Sequence, residues 1–340
     1  MNFLKKYKTF LKWLLVLTAL FVVCFYNREQ IPLIAEQIRQ TPKILLIIST
    51  LLALGYFICE GRIISLLGIR YQPSFTVWNG ISAAFFCEFY RLLTLGSMTG
   101  VAEIYFLHTN KIPAAKGTGM CLVQYLIQRM TIAILGFVSC VIVLIQFPNV
   151  VQVHSWQIIL SYLITILVLC GLIFIGTCKK TTTWLFCLIE RKAGQKPKIK
   201  NLLYKTNEQV NILQSEVQIL LQERRMMLRL LAQNIVKMIC WFAIPAILLF
   251  NPENPAAFLP HMALTSMAFV LSGVIPSPGG IGSLEFVFIL LFGEIMAGEQ
   301  AASIIILFRL LISVVPFMIG ALVAGFFHQE GEKISDFTGS

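Results

Sequence analysis

The sequence predicts an all-α polytopic membrane protein, a helical bundle with two re-entrant hairpins arranged as an inverted repeat. Three observations predict it. Of 340 residues, 57% are hydrophobic and 13% charged, with mean hydropathy +0.80, whereas soluble domains carry roughly 25% charged residues. The apolar residues come in runs of about 20, the length that crosses roughly 30 Å of hydrocarbon. The basic residues gather in alternate loops, the positive-inside pattern of membrane proteins. Soluble globular folds are excluded.

Apolar spans fall near 10–26, 44–59, 75–93, 118–146, 156–178, 231–250, 261–275, 284–297 and 300–327. Lys5, Lys6, Lys8 and Lys12 precede the stretch from Trp13 to Tyr26 as in a signal peptide. No small-x-small cleavage site follows, so an uncleaved anchor is expected. Placing both termini and the loop 179–230 in the cytoplasm puts 20 of the 27 basic residues inside. Only Arg28, Arg39 and Lys43 then lie outside, and Arg91, Arg129, Lys237 and Arg309 fall within spans. Lys237, near the inner boundary, is expected to snorkel into the headgroups. The expected location is the cell membrane, crossed several times.

This orientation imposes the hairpins. Segments 60–74 and 109–117 are both basic, so the chain between them must enter and leave on the cytoplasmic side. The first membrane half, 1–178, thus holds a cytoplasmic-side hairpin at about 75–108. The second half, 231–327, holds an outer-side hairpin at about 261–297, whose two arms are each too short to cross comfortably. Residues 328–340 form a cytoplasmic tail. Backbone bent at membrane depth needs protein or water to satisfy its polar groups, so such hairpins imply a cavity. In the middle segment, 179–230, a basic linker at Gly194 to Lys200 precedes Leu203, Val210, Leu213, Val217 and Leu220 at helical spacing. That 201–229 helix either contacts an anionic membrane surface or a partner, or simply connects the two halves.

Gly100-Val101-Ala102-Glu103 aligns with Gly282-Ser283-Leu284-Glu285, and each is followed by a lone arginine, Arg129 or Arg309. Hairpins on opposite faces with matching motifs form an inverted repeat, an architecture whose substrate sites lie between the halves. The strongest local signal is Pro276-Ser277-Pro278-Gly279-Gly280-Ile281-Gly282-Ser283-Leu284-Glu285. Its prolines stop a helix and its glycines permit positive φ. A half-helix opening near Ser283 would aim free N–H groups into the bend and make an anion site; the plain alternative is a tight turn. Glu88 and Arg91 stand at i, i+3 and can pair. With Glu103, Arg129, Glu285 and Arg309 they make six charges at membrane depth, each costing about 2.5–3.5 kcal/mol if unpaired. The candidate binding residues are therefore Arg309, Glu285, Gly279, Gly280, Gly282, Ser283, Arg129, Glu103, Glu88 and Arg91, with structural ion pairing as the other reading.

Other chemistries lack their residues. The nine cysteines lie in or beside apolar segments without a C-x-x-C, and the four histidines form no H-x-x-x-H pair. No cofactor or metal is expected. Asp336 is the only aspartate, and no catalytic triad, P-loop or nucleic-acid motif is present. The expected partners are a phospholipid substrate and an anionic membrane surface, with no nucleic acid; a homo-oligomer is left open.

At P-S-P-G-G-I-G-S-L-E, followed by Phe308-Arg309-Leu310 and Pro316, the sequence resembles the flippase-like transmembrane family of the lysylphosphatidylglycerol synthases. The stretch from Leu95 to Leu107, with Lys116 and Gln128-Arg129, is similar to that family's first-half signature, without the proline usual at the bend. The resemblance spans roughly residues 10–327. It implies lipid handling: full-length relatives add a soluble domain that lysinylates phosphatidylglycerol, and their membrane part flips the product, a route to resistance against cationic peptides. This chain ends about a dozen residues after its last span, so the expectation is a membrane part alone. The resemblance implies a translocase of a phospholipid or aminoacylated phospholipid. The alternatives are a component of lysylphosphatidylglycerol synthesis, or a scaffold recruiting a partner through the 201–229 helix.

Overall fold

A computed structural model describes residues 38–39, 41–94, 96, 98–177, 207–208, 210–212, 214–216, 218–219, 223–277 and 282–325. The expected first span at 10–26, the linker at 194–200 and the tail at 328–340 lie outside them. The described residues are helical almost throughout. In chain order the elements are α1 (Lys43–Gly68), α2 (Val77–Leu93), α3 (Thr99–Thr109), α4 (Ala114–Gln146), α5 (Pro148–Val153) and α6 (Ser155–Thr177). They continue with α7 (Arg224–Leu248), α8 (Phe258–Ser272), α9 (Ser283–Phe292) and α10 (Gly298–Arg309). A π-helical turn at Leu310–Val314 carries α10 on towards Gly325. Pro316 explains the widened turn: without an N–H it cannot bond the Ile312 carbonyl, and the Val315 N–H reaches back to Leu310.

Among the described residues, six helices are long and apolar enough to cross a membrane: Lys43–Gly68, Ala114–Gln146, Ser155–Phe174, Arg224–Leu248, Pro255–Ser272 and Gly298–Gly325. The chain is an all-α polytopic membrane protein. At 33 residues, α4 extends about 50 Å and reaches past both edges of a bilayer unless tilted. Helix α9, with ten residues, is too short to span.

The two ends of the bundle differ in chemistry. At one end Arg70 pairs with Glu223 at 3.1 Å, and Glu216 accepts from the Tyr71 hydroxyl and from Lys116, the latter at 3.4 Å. Burial, and then the bond to Glu216, push the Tyr71 phenol above its ordinary value, which keeps it a donor. Glu216 belongs to the described, helical part of 201–229, which thus packs on the bundle. At the other end His154 approaches Glu294 at 3.5 Å, and His261 stacks on Phe147 and lies tilted against Phe292, with centroids 6.3 Å from each.

These ends orient both hairpins. Thr76 caps α2 by accepting the Asn79 N–H at 3.2 Å, and Asn79 donates to Asn110, just past α3, at 2.8 Å. Helices α2 and α3 therefore begin and finish at the Arg70 end, with their bend away from it. Helices α8 and α9 pack on each other and begin and finish at the opposite end. The contacts are reciprocal: α8 of the second half packs on α4, while α2 of the first half packs on the last helix, where Phe89 stacks on Phe317 at 5.2 Å. Central to both, α1 packs along α7.

The bend of the first hairpin corrects one expectation. Gly96, with φ +82°, makes the turn there, as Gly282 with φ +88° does in the second. Gly100 lies inside α3 in open surroundings, so it is not the counterpart of Gly282.

Close packing of α2 depends on three missing side chains. A methyl group at Gly61 would overlap the Ile81 backbone, one at Gly80 the Gly61 carbonyl, and one at Gly320 the Phe85 carbonyl. Membrane helices lacking a hydrophobic drive between them associate through such close backbone contact. A second correction lies in the α1–α7 pair. Lys237 does not snorkel: it is 1% exposed, donates to Glu60 at 2.8 Å, and stands 5.5 Å from the centroid of the Tyr56 ring. Glu60 comes from α1, so the partner could not be found from local spacing.

Two outcomes follow for stability. Gly80→Ala lowers the unfolding free energy by about 1–3 kcal/mol through overpacking, although alanine favours helix. Gly171→Ala, at a position open on all sides, leaves it unchanged or slightly raised; denaturant titration in mixed micelles reads both. Lys237→Met costs about 3 kcal/mol by stranding Glu60, and adding Glu60→Gln recovers most of that loss, as a double-mutant cycle on the same titration will show.

Candidate anion-binding cavity

The charges of the second bend are held by one carboxylate. Positive φ at Gly282 lets the chain turn directly into α9. Glu285, at the third helical position, reaches back so that its Oε2 accepts the Gly282 N–H at 2.9 Å. An acid in the first turn also suits the positive end of the helix dipole. The same carboxylate meets Arg309 of α10, with Nε 2.6 Å from Oε1 and Nη2 donating to Oε2 at 3.1 Å. Ser277 donates to Ser283 at 2.8 Å across the bend. Gly279 and Gly280 lie outside the described residues.

In the first hairpin, Arg91 in the last turn of α2 donates to Glu88 at 2.7 Å, the i, i+3 pair expected from spacing. Arg91 Nε has no hydrogen-bond partner among the described residues.

The end of α2 and the second bend border a cavity of about 450 Å³ between the halves. Arg91 of α2, Arg129 of α4 and Arg309 of α10 all reach its wall. Ser277 and Ser283 line it from the second bend, Tyr125, Gln128 and Ile132 from α4, Thr165 from α6, Trp241 from α7 and Phe269 from α8. Tyr56 of α1 closes it, with the buried Lys237 beside its ring. The size is that of a small-molecule site rather than a packing defect. Its composition, arginines and hydroxyls on aromatic walls, suits an oxyanion attached to something greasy. Guanidinium groups match phosphate oxygens in a fixed fork, and the α9 N-terminus adds a positive dipole end.

The structure thus brings together Arg91, Arg129, Arg309 and Ser283, with Glu88, Glu285 and Gly282 just behind them. It does not bring Glu103. That carboxylate accepts from Gln124 Nε2 at 2.6 Å and is absent from the cavity wall. The expected parallel with Glu285–Arg309 therefore fails in the first half. Arg129 instead lies over the Tyr125 ring, 4.9 Å from its centroid, while Gln124, five residues earlier on the same helix, is the donor to Glu103. Tyr56, Tyr125, Gln128, Thr165, Trp241 and Ser277 were missed as lining residues. Only Ser277, inside the proline-glycine motif, and Gln128, beside Arg129, carried a signal in the sequence.

A family model described as the lysylphosphatidylglycerol synthase TM region matches residues 10–320. No curated protein matches the chain. The family match covers both hairpins and every residue of the cavity. The chain belongs to the family of the lysylphosphatidylglycerol synthase transmembrane region.

Proposed function

We propose that this protein is a lipid translocase whose cavity receives the phosphate-bearing headgroup of a phospholipid or aminoacylated phospholipid while the acyl chains stay in the bilayer. The family links it to lysylphosphatidylglycerol-related processes at the membrane. The observation that carries the finer reading is that the last turn of α2 and the bend before α9, from oppositely directed helix pairs, border one cavity with three arginines in its wall. In this reading the hairpins are re-entrant, each dipping from its own side, and the end bearing Arg70 and Lys116 is cytoplasmic. The reciprocal packing of α2 on the last helix and α8 on α4 supports an inverted repeat, in which either half can open while the other closes. The cell membrane is the proposed location, with both termini in the cytoplasm.

Energetically the cavity solves a single difficulty. A phosphate entering hydrocarbon bare loses its hydration; here guanidinium groups, hydroxyls and a helix N-terminus replace that shell. Arg309 is already fixed by Glu285, so its fork is oriented before the guest arrives and less entropy is lost on binding.

Purified protein in proteoliposomes with a fluorescent phospholipid tests this by membrane-impermeant quenching. Arg309→Ala and Glu285→Ala each slow transbilayer movement by more than about tenfold. The double variant, which leaves no unpaired charge, remains as slow although its stability recovers. Wild-type rates in both single variants would reject the assignment of the cavity.

A further inference from the structure

The charge around the cavity is unbalanced in one direction. Among the described residues no aspartate or glutamate lies in its wall, while three arginines do. Two are neutralised from behind, Arg91 by Glu88 and Arg309 by Glu285. Arg129 has no carboxylate within 4.0 Å among the described residues. In the wall itself, one unmatched guanidinium therefore sets the sign of the chamber.

The usual means of holding an ammonium group are already spent. Glu285 accepts from the Gly282 N–H and from Arg309 Nη2 and lies 2.6 Å from Arg309 Nε, and Glu88 is taken by Arg91. Aromatic faces can bind cations, but the protein's own cations occupy them. Lys237 Nζ lies 5.5 Å from the centre of the Tyr56 ring, and Arg129 lies 4.9 Å from that of Tyr125. Trp241 is packed edge-to-face with Phe269 and with Phe308, both at 4.7 Å.

We propose that the cavity selects a headgroup of net negative charge, a phosphate diester bearing hydroxyls, over the same headgroup carrying an esterified lysine. The proposal rests on reading the cavity as the headgroup site and sharpens it. Lysine esterification adds two amines to a singly charged phosphate diester, which reverses the sign of the headgroup. It would bring them beside an unmatched guanidinium in a poorly screened chamber, where like charges disfavour the wrong guest. The hydroxyl form instead meets Ser277, Ser283, Gln128 and Thr165, neutral groups that donate and accept. The preferred lipid is thus the one that an aminoacyl transfer would consume, not the one it would release.

Binding by the full chain in uncharged detergent micelles tests this, using calorimetry with four probes. These are short-chain phosphatidylglycerol, its lysyl ester, the deacylated glycerophosphoglycerol, and inorganic phosphate. Phosphatidylglycerol binds about tenfold or more tighter than the lysyl ester, and the two tail-less probes bind more weakly than phosphatidylglycerol, which assigns the phosphate to a lipid. Arg129→Gln shrinks the preference to within about threefold, whereas Arg129→Lys keeps it, and both retain the wild-type thermal midpoint. Equal or tighter binding of the lysyl ester overturns the selectivity and leaves the headgroup site standing. Binding of no probe, binding unaffected by Arg309→Ala, or tightest binding of a tail-less probe overturns both.

Discussion

One carboxylate, Glu285, joins the features on which the cavity depends. By accepting the Gly282 N–H it fixes the start of α9, and by pairing with Arg309 it ties that start to α10. Without the pairing, the bend would expose helix-terminal N–H groups with nothing to hold them in register, and Arg309 would be a bare cation at membrane depth. The π-helical turn directly after Arg309 belongs to the same construction. Removing the Pro316 N–H widens the helix just where the arginine leaves it.

Charge within the bundle is cancelled locally at three places. Glu88 with Arg91, Glu60 with Lys237, and Glu285 with Arg309 each cancel within a short distance. Buried pairs of this kind add little stability against an apolar alternative, yet breaking them is costly. They therefore fix arrangement more than they strengthen the fold. Arg129, in the cavity wall, and Glu103, bonded to Gln124, have no such ionic partner among the described residues.

Sequence made the class of fold readable because composition and span length are coarse, additive signals. Loop charge constrains both ends of each expected hairpin, and in the structure Asn79 meets Asn110 at one end of the bundle and His261 meets Phe292 at the other. Pairs close along one helix, such as Glu88 with Arg91, follow from helical geometry alone. What stayed hidden depends on long-range approach. Glu60 and Lys237 are separated by 177 positions, and no periodicity links them. Tyr56, Thr165 and Trp241 reach the cavity from three different helices, and aromatic or hydroxyl residues in apolar spans have no pattern that marks a lining. Glu103 misled because its motif matched Glu285, whereas its partner depends on Gln124, a residue with no counterpart in that motif.

The glycine seam has a mechanical consequence. Around Gly61, Gly80 and Gly320, α2 rests on its neighbours main chain to main chain, with no side-chain tips to exchange partners. Such a joint can neither slide nor roll without steric overlap, so the first hairpin behaves as an anvil. The second hairpin is joined differently: α8 and α9 meet their neighbours through side chains, with Leu264, Met267, Phe288 and Phe292 fully buried, and such interdigitated contacts can exchange partners where a main-chain seam cannot.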